Sequence, residues 1–328
     1  MPDQVFYIKS LETGVNLQLP AGLLSAGIPV DYAQFIPEFS CFCGYGDSPY
    51  LVAYQDSEAR TLEFADHRVD VRYPWIDMRG GEVLLYIAYP LIELQRQSKA
   101  SLTCHAAAVE LSGHGVLLLG KEGAGKSSVA LRLCWDYGAK LVANDLCILR
   151  TEGDSVFLEG GTKFFFLRRA SVERSVPDLL SLFSADKDSW TDKVIVPPSS
   201  ISVELARNRV QNRVTALVHV DESQRGVHTE SADGLALRLF LNENFSRYIR
   251  STCTTMLGGS DYEFMGYIPS LDSENLYAMR VALINKLLKL PGIRYISGPS
   301  RLVAAHLAQL AEEADTSCTN GGSFAPHA

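Results

Sequence analysis

Eight consecutive residues, Gly120-Lys121-Glu122-Gly123-Ala124-Gly125-Lys126-Ser127, satisfy the pattern G-x-x-x-x-G-K-[ST], and each position has a part in holding phosphate. The glycines let backbone N–H groups curl around an oxyanion, and a helix that starts at the loop adds the positive end of its dipole. Lys126 is placed to neutralise the β and γ phosphates of ATP. Ser127 is placed to set its hydroxyl on Mg2+, which takes hard oxygen ligands in octahedral array. The binding residues expected from this pattern run from Gly120 through Ser128. Two more side chains stand on either side of the loop: His105, 21 positions before Lys126, and Asp145, 19 positions after it. Both fall in runs that read as strands. If those strands adjoin the loop strand in one sheet, an imidazole and a carboxylate converge near the γ-phosphate, where a kinase needs a base for an acceptor hydroxyl.

The flanking sequence supplies the elements this arrangement needs. "CHAAAVELSGHGVLLLG" reads as a strand from Cys104, a tight turn over Ser112 to Gly115 and a second strand from Val116 to Leu119 that ends on the loop. "KSSVALRLCWDYG" reads as a helix stopped by Gly138. "KLVANDLCILR" resumes as a buried strand, "SVFLEGGTKFFFLRR" as two strands joined at Gly160-Gly161, and "RVTALVHVDES" as another buried strand ending in acids. Toward the C-terminus, "PDLLSLFS" and "GLALRLFLNENFSRYIR" read as helical pieces. "SENLYAMRVALINKLLKLPG" and "GPSRLVAAHLAQLAEEA" are helices with Ser273 and Ser300 as candidate caps.

Ahead of all this, residues 1 to about 90 carry short β-rich runs, "VFYIKS", "SPYLVAYQ", "RTLEFA" and "DVRYP", broken by Gly, Pro and Asp. A helix follows Gly81. The expected organisation is a β-rich N-terminal domain over 1–95 that selects the substrate, a nucleotide-binding α/β domain over 96–314, and a disordered tail over 315–328.

The block from His105 to Arg150, 46 of the 328 residues, resembles the nucleotide-binding core of the HPr kinase/phosphorylase family and its smaller HPr-kinase-like relatives. The fold this resemblance implies is the phosphoenolpyruvate-carboxykinase-like P-loop fold, a mixed sheet with flanking helices, rather than a doubly wound parallel sheet. In that family a histidine precedes the loop and an acidic pair follows it, the second acid being catalytic. By resemblance His105 matches the histidine, Lys126 and Ser127 the phosphate and magnesium positions, and Asp145 the base, with Ser127 and Asp145 as the metal-binding candidates.

Departures from the family are equally specific. Asn144-Asp145 stands where two acids are usual, so one negative charge is missing. The family's later glycine-rich segment with a second magnesium-binding acid has Glu159, in "LEGGTK", as its nearest counterpart, although a turn-flanking surface glutamate is the simpler reading. Arg247 and Arg250 are guesses for the family's active-site arginine, and a solvated helix face suits both. Phosphorylation of HPr itself is therefore not expected.

Composition narrows the remaining classes. A formal charge of −8 is the wrong sign for a general grip on nucleic acid, which depends on a surplus of Lys and Arg. The seven cysteines show no zinc-site spacing and suit free thiols in a reducing compartment. "MPDQVFYIKSLETG" lacks the basic flank and apolar stretch of a signal peptide. No apolar run reaches the ~18 residues needed to span a bilayer. A cytoplasmic protein without membrane or nucleic-acid partners is expected, with its oligomeric state left open. The expected activity is an ATP-dependent kinase acting on a hydroxyl of a small molecule or peptide, with Asp145 as base. The alternative is an ATP-responsive regulatory or binding protein with little or no phosphoryl transfer, which the asparagine at 144 favours. A GTPase switch is a weaker reading still, because no Asn-Lys-x-Asp segment occurs.

Overall fold

The structure of the protein, a computed structural model, describes residues 3–24, 35–183, 191–250, 255–289 and 292–319. Two compact units emerge, one drawn from residues 1–103 with 242–281 and the other from 104–241 with 282–328.

In the first unit, alternation of apolar and polar residues makes strands with one buried face. β1 (Gln4–Ser10) buries Phe6 and Ile8 while Tyr7 and Lys9 stay partly exposed. β2 (Thr13–Leu19), β3 (Phe39–Cys43), β4 (Leu51–Asp56), β5 (Thr61–Phe64) and β6 (Arg68–Tyr73) complete a six-stranded sheet in the order β3-β1-β2-β4-β6-β5. β2 and β3 fall outside the runs expected from the sequence. α1 (Glu82–Ser98) follows Gly81 as expected and is buried over most of its surface. Glu93 and Arg96 go inside with it, paired at 2.7 Å. Their remaining valences are met: Glu93 accepts from the Thr103 and Gln97 nitrogens, and Arg96 donates to Thr103 Oγ1 at 2.8 Å.

The chain crosses into the second unit within β7 (Ser101–His105) and continues with β8 (Ala107–Leu111), β9 (His114–Leu119), α2 (Lys126–Tyr137), β10 (Lys140–Ala143), β11 (Leu146–Glu152) and β12 (Ser155–Gly161). A two-stranded sheet of β13 (Phe165–Arg168) and β14 (Lys193–Val196) brackets α3 (Arg169–Ser175). β15 (Val210–Val220) and β16 (His228–Ala232) lead to α4 (Gly234–Ser246). The chain then makes an excursion through β17 (Thr255–Gly258), β18 (Glu263–Tyr267) and α5 (Glu274–Lys289) before ending with β19 (Ile293–Gly298) and α6 (Ser300–Thr319).

The main sheet runs β10-β8-β9-β15-β12-β11-β7, with β19 parallel to β15 and β16 antiparallel to β19. β9 and β15 are parallel, whereas β8 is antiparallel to β9 and β10 to β8. The sheet is thus mixed, with flanking helices, and a β-rich segment precedes it. Val116 and Leu118 of β9 and Ala216 and Val218 of β15 share a core with Val129 and Leu133 of α2 and Val303 and Leu307 of α6. Leu117 and Leu119 are fully buried as well, which is why β9 reads as a continuous apolar run instead of an alternating one.

Several expectations are corrected by the fold. The strand read from Cys104 is two strands, with Ala106 between β7 and β8. The strand read over 140–150 is likewise broken, at Asn144-Asp145. Ser273 does receive the Leu276 N–H, at 3.4 Å, but Ser300 is the first residue of α6 and its N–H is held by Glu222 Oε1 at 3.1 Å. The expected tail begins too early: α6 continues to Thr319, and 320–328 lie outside the described residues.

The compact units also divide differently from a boundary at 95/96, because residues 242–281 fold with the N-terminal segment. Arg280, 1% exposed, ties this segment to α1. Its guanidinium donates to Gln97 Oε1 at 2.9 Å and to both Asp272 oxygens at 2.9 and 2.7 Å, while Gln97 donates to the Phe245 carbonyl. A cation so deeply buried needs these acceptors. Replacing Arg280 by Met is expected to lower stability by about 3 kcal/mol or more, the scale for removing one partner of a buried ion pair. Urea denaturation checks this, and a loss below ~1 kcal/mol would contradict the assigned role.

Candidate active site

Leu119 delivers the chain to the glycine loop at the C-terminal edge of the sheet, and α2 begins at Lys126. The loop is seated against the end of β15. Val220 donates its N–H to the Ala124 carbonyl at 2.9 Å. Gly125 has φ 89°, and a Cβ built there would lie 2.3 Å from Val220 Cγ2. Both the left-handed backbone and the close approach require glycine. Lys126 is 7% exposed, and its Nζ donates to the Gly120 and Lys121 carbonyls at 3.0 and 3.1 Å. Lys121, Glu122 and Gly123 are exposed, Ser127 is half-buried and Ser128 is buried.

Sheet register brings His105 and Asp145 to the same edge. Ala107 pairs with Leu118, so β8 begins beside the end of β9, and His105, two residues earlier, closes β7. Ala143 pairs with Ala108, so Asp145 emerges at that edge too, from a strand antiparallel to β8. The two meet: His105 Nε2 lies 3.2 Å from Asp145 Oδ1, and the Ala106 N–H donates to the Asp145 carbonyl at 3.0 Å. The Asp145 side chain is 39% exposed, leaving it reachable from solvent.

Asp145 takes a backbone conformation that side-chain-bearing residues avoid, φ 76°. Thr162 holds it there from both flanks. The Asn144 N–H donates to the Thr162 carbonyl at 2.7 Å and the Thr162 N–H to the Leu146 carbonyl at 2.9 Å. The Thr162 hydroxyl donates to the Asn144 carbonyl and accepts the Leu146 N–H at 3.0 Å. Gly161 makes the approach feasible, since a Cβ there would lie 2.0 Å from the Leu146 oxygen. Asn144, 1% exposed, donates through Nδ2 to the Phe164 carbonyl at 2.9 Å, and its Oδ1 is buried without a hydrogen-bond donor among the described residues. Its amide serves the corner and is withdrawn from solvent.

Thr162 is the residue that reading the sequence missed. The one signal for it was its place after Gly160-Gly161, which read only as a strand junction. Glu159 is neither a surface residue nor a free ligand: its carboxylate, with the side chain 10% exposed, pairs with Arg150 on the neighbouring strand. Arg247 and Arg250 belong to the first unit, where Arg250 approaches Glu243 at 3.8 Å and Arg247 lies over the Tyr248 ring. The arginine that does touch the loop is Arg168, whose Nη2 is 2.7 Å from Glu122 Oε1.

A cavity of about 190 Å³ lined by Arg213, Thr215, Arg294 and Leu310 lies at the opposite end of β15 from the loop. It is separate from the His105–Asp145 pair.

Exchanging Thr162 for Val removes the hydroxyl and leaves the Leu146 N–H buried without an acceptor. A stability loss of about 1–3 kcal/mol is expected. Thr162→Ser, which keeps the hydroxyl, should recover most of it. Equal losses for the two variants in urea denaturation would show that the methyl group matters and the hydrogen bonds do not.

No family model matches the chain. Over 59 residues, 18% of this chain and 17% of the relative, it is 41% identical to the HPr kinase/phosphorylase of Chloroherpeton thalassium. Over 54 residues, 16% of each chain, it is 48% identical to that of Chlorobium limicola. Among solved structures, the Hpr(Ser) kinase/phosphatase from Coxiella burnetii is 13% identical with a TM-score of 0.28, covering 66% of this chain and 99% of that one; a likeness this slight carries no argument. The matched segments span about a sixth of the length of the curated relatives, and over that segment the chain is similar to the HPr kinase/phosphorylases.

Proposed function

We propose that the protein is an ATP-dependent kinase that transfers the γ-phosphate to a hydroxyl of a small molecule or peptide. One observation carries this reading: a solvent-reachable carboxylate, Asp145, is paired with His105 at the sheet edge from which the glycine loop springs. Binding alone would not require such a pair.

The loop N–H groups and Lys126 hold the triphosphate, the lysine exchanging its bonds to Gly120 and Lys121 for phosphate oxygens. Asp145 accepts a hydrogen bond from the acceptor hydroxyl and takes its proton as the oxygen attacks the γ-phosphorus. The new O–P bond forms as the bond to the β-phosphate oxygen breaks, and ADP leaves. His105 fixes the carboxylate's orientation. Ser127 and Asp145 offer only oxygen donors, which suits magnesium. Among the described residues no cluster of three or more His, Cys, Asp or Glu could hold a metal by itself, so phosphate oxygens and water complete the set. Bound there, the ion supplies neutralisation of charge on the β and γ phosphates.

Acceptor choice belongs to this proposal at the level of a hydroxyl group. HPr is the acceptor named for the curated relatives, but the missing second acid at Asn144 sets this chain apart from the family pattern. A cytoplasmic setting is part of the same reading; among the described residues no helix is long and apolar enough to cross a membrane.

The test is incubation of the purified protein with Mg2+ and ATP, with and without a panel of hydroxyl-bearing metabolites and peptides, following ADP and phosphorylated products by mass spectrometry. Asp145→Asn is expected to lower product formation by about 10²–10⁴-fold, the usual contribution of a general base, with ATP binding retained. Lys126→Ala is expected to lose ATP binding. ATP binding without turnover across the panel would favour an ATP-responsive regulator instead.

A further inference from the structure

Arg168 is fixed to the helix that begins at Lys126 by two separate connections. Phe165 and Leu167 of β13 are buried in the core they share with α2, so strand alternation sets Arg168 on the other side. α3 starts at the next residue, and Arg132 of α2 donates through Nη2 to the Ser175 carbonyl at its end, at 2.9 Å. The backbone after Arg168 is tied in turn to the residue before β14 through the Arg169 N–H, 3.0 Å from the Asp192 carbonyl. From this anchored position the guanidinium reaches Glu122, the third residue of the glycine loop, at 2.7 Å. Arg169, beside it, is turned away to Glu173.

A mixed pair of this kind contributes little by itself. Arg168 is 41% and Glu122 77% exposed, and ion pairs open to water are worth little. A stability role does not account for placing a rigidly based arginine on the one segment whose backbone wraps phosphate. The terminal phosphate of a triphosphate carries more charge than a carboxylate and presents oxygens that match the planar fork of a guanidinium in two parallel hydrogen bonds. A phosphate seated in the loop therefore competes with Glu122 for Arg168.

We propose that Arg168 binds the terminal phosphate of a nucleoside triphosphate in the loop and that Glu122 is its built-in competitor, so that the pair sets the preference for triphosphate over diphosphate. This rests on the reading of the loop as a nucleotide site. A diphosphate, lacking the terminal group, leaves Arg168 on Glu122 and gains nothing from the exchange. Removing Arg168 reduces the preference, and neutralising Glu122 frees the arginine and strengthens it.

Calorimetric titration with Mg-ATP and Mg-ADP of the full chain and of Arg168→Ala, Glu122→Gln, the double variant and Lys126→Ala tests this. Arg168→Ala should raise the Kd for ATP by roughly tenfold or more, the scale of a charge-assisted hydrogen bond, and leave that for ADP within about twofold. Glu122→Gln should tighten ATP alone, and only while Arg168 is present. Equal weakening of ATP and ADP by Arg168→Ala, no change in either, or a Glu122→Gln effect that persists in the double variant would each overturn the proposal. ADP binding also reports that each variant is folded. Failure of the loop reading looks different: the wild type would bind neither nucleotide, or Lys126→Ala would bind both as well as the wild type, and this proposal would fall with it.

Discussion

A left-handed corner at Asp145 governs the geometry of the candidate active site. In an unbroken strand, residues 140–152 would run past the sheet edge with side chains alternating between its faces. At φ 76° the chain turns between β10 and β11 and sets the carboxylate beside His105. Such a conformation costs on the order of 1–2 kcal/mol for a residue with a Cβ, and it persists because Thr162 bonds to the peptides on both sides of it. Strain held this way by surrounding structure is typical of places where a side chain must point in one direction. His105 has a matching origin, since the break at Ala106 that lets the Ala106 N–H meet the Asp145 carbonyl also ends β7 at the histidine.

Around that corner the site is assembled from segments far apart in the chain, each held by ordinary packing. The parallel pairing of β9 with β15 brings Val220 against Gly125 and gives the loop a floor. Core packing of α2 with β13 and α3 brings Arg168 onto Glu122. Positive groups at Lys126 and Arg168 thus flank a loop whose N–H groups favour an anion, while Asp145 stands at the β10–β11 corner beside His105 at the end of β7. Asp145, Arg168 and Glu122 remain open to water, whereas Lys126 is buried beneath the loop carbonyls.

In the first unit a different problem is solved by burial of charge. α1 is enclosed so fully that Glu93, Arg96 and Gln97 are enclosed too, and Arg280 joins them from a segment 183 residues away in sequence. A buried ionic cluster is a modest source of net stability, but an unmatched member is costly. Residues 242–281 supply Asp272, Arg280 and the Phe245 carbonyl to this cluster, which ties them to α1.

Local signals sufficed for much of this protein. The eight-residue loop motif, the Gly138 stop of α2, the helix after Gly81 and the apolar run of β9 are dictated by glycine dihedrals, helix period and burial, all readable within a dozen residues. The spacing of His105 and Asp145 about Lys126 raised the possibility that they meet, and the register of β8, β9 and β10 brought them within 3.2 Å. Other features had no local trace. The breaks at Ala106 and at Asn144-Asp145 look like continuous strand in the sequence, because the hydrogen bonds that stabilise the turn come from Thr162, 17 residues beyond Asp145. Arg168 reads as one of two arginines after an aromatic run, and Arg280 as the polar face of a helix. Sequence determined which residues carry the candidate phosphate chemistry; tertiary structure alone decided which of them touch, because strand register and the matching of buried polar groups are long-range constraints that no local pattern encodes.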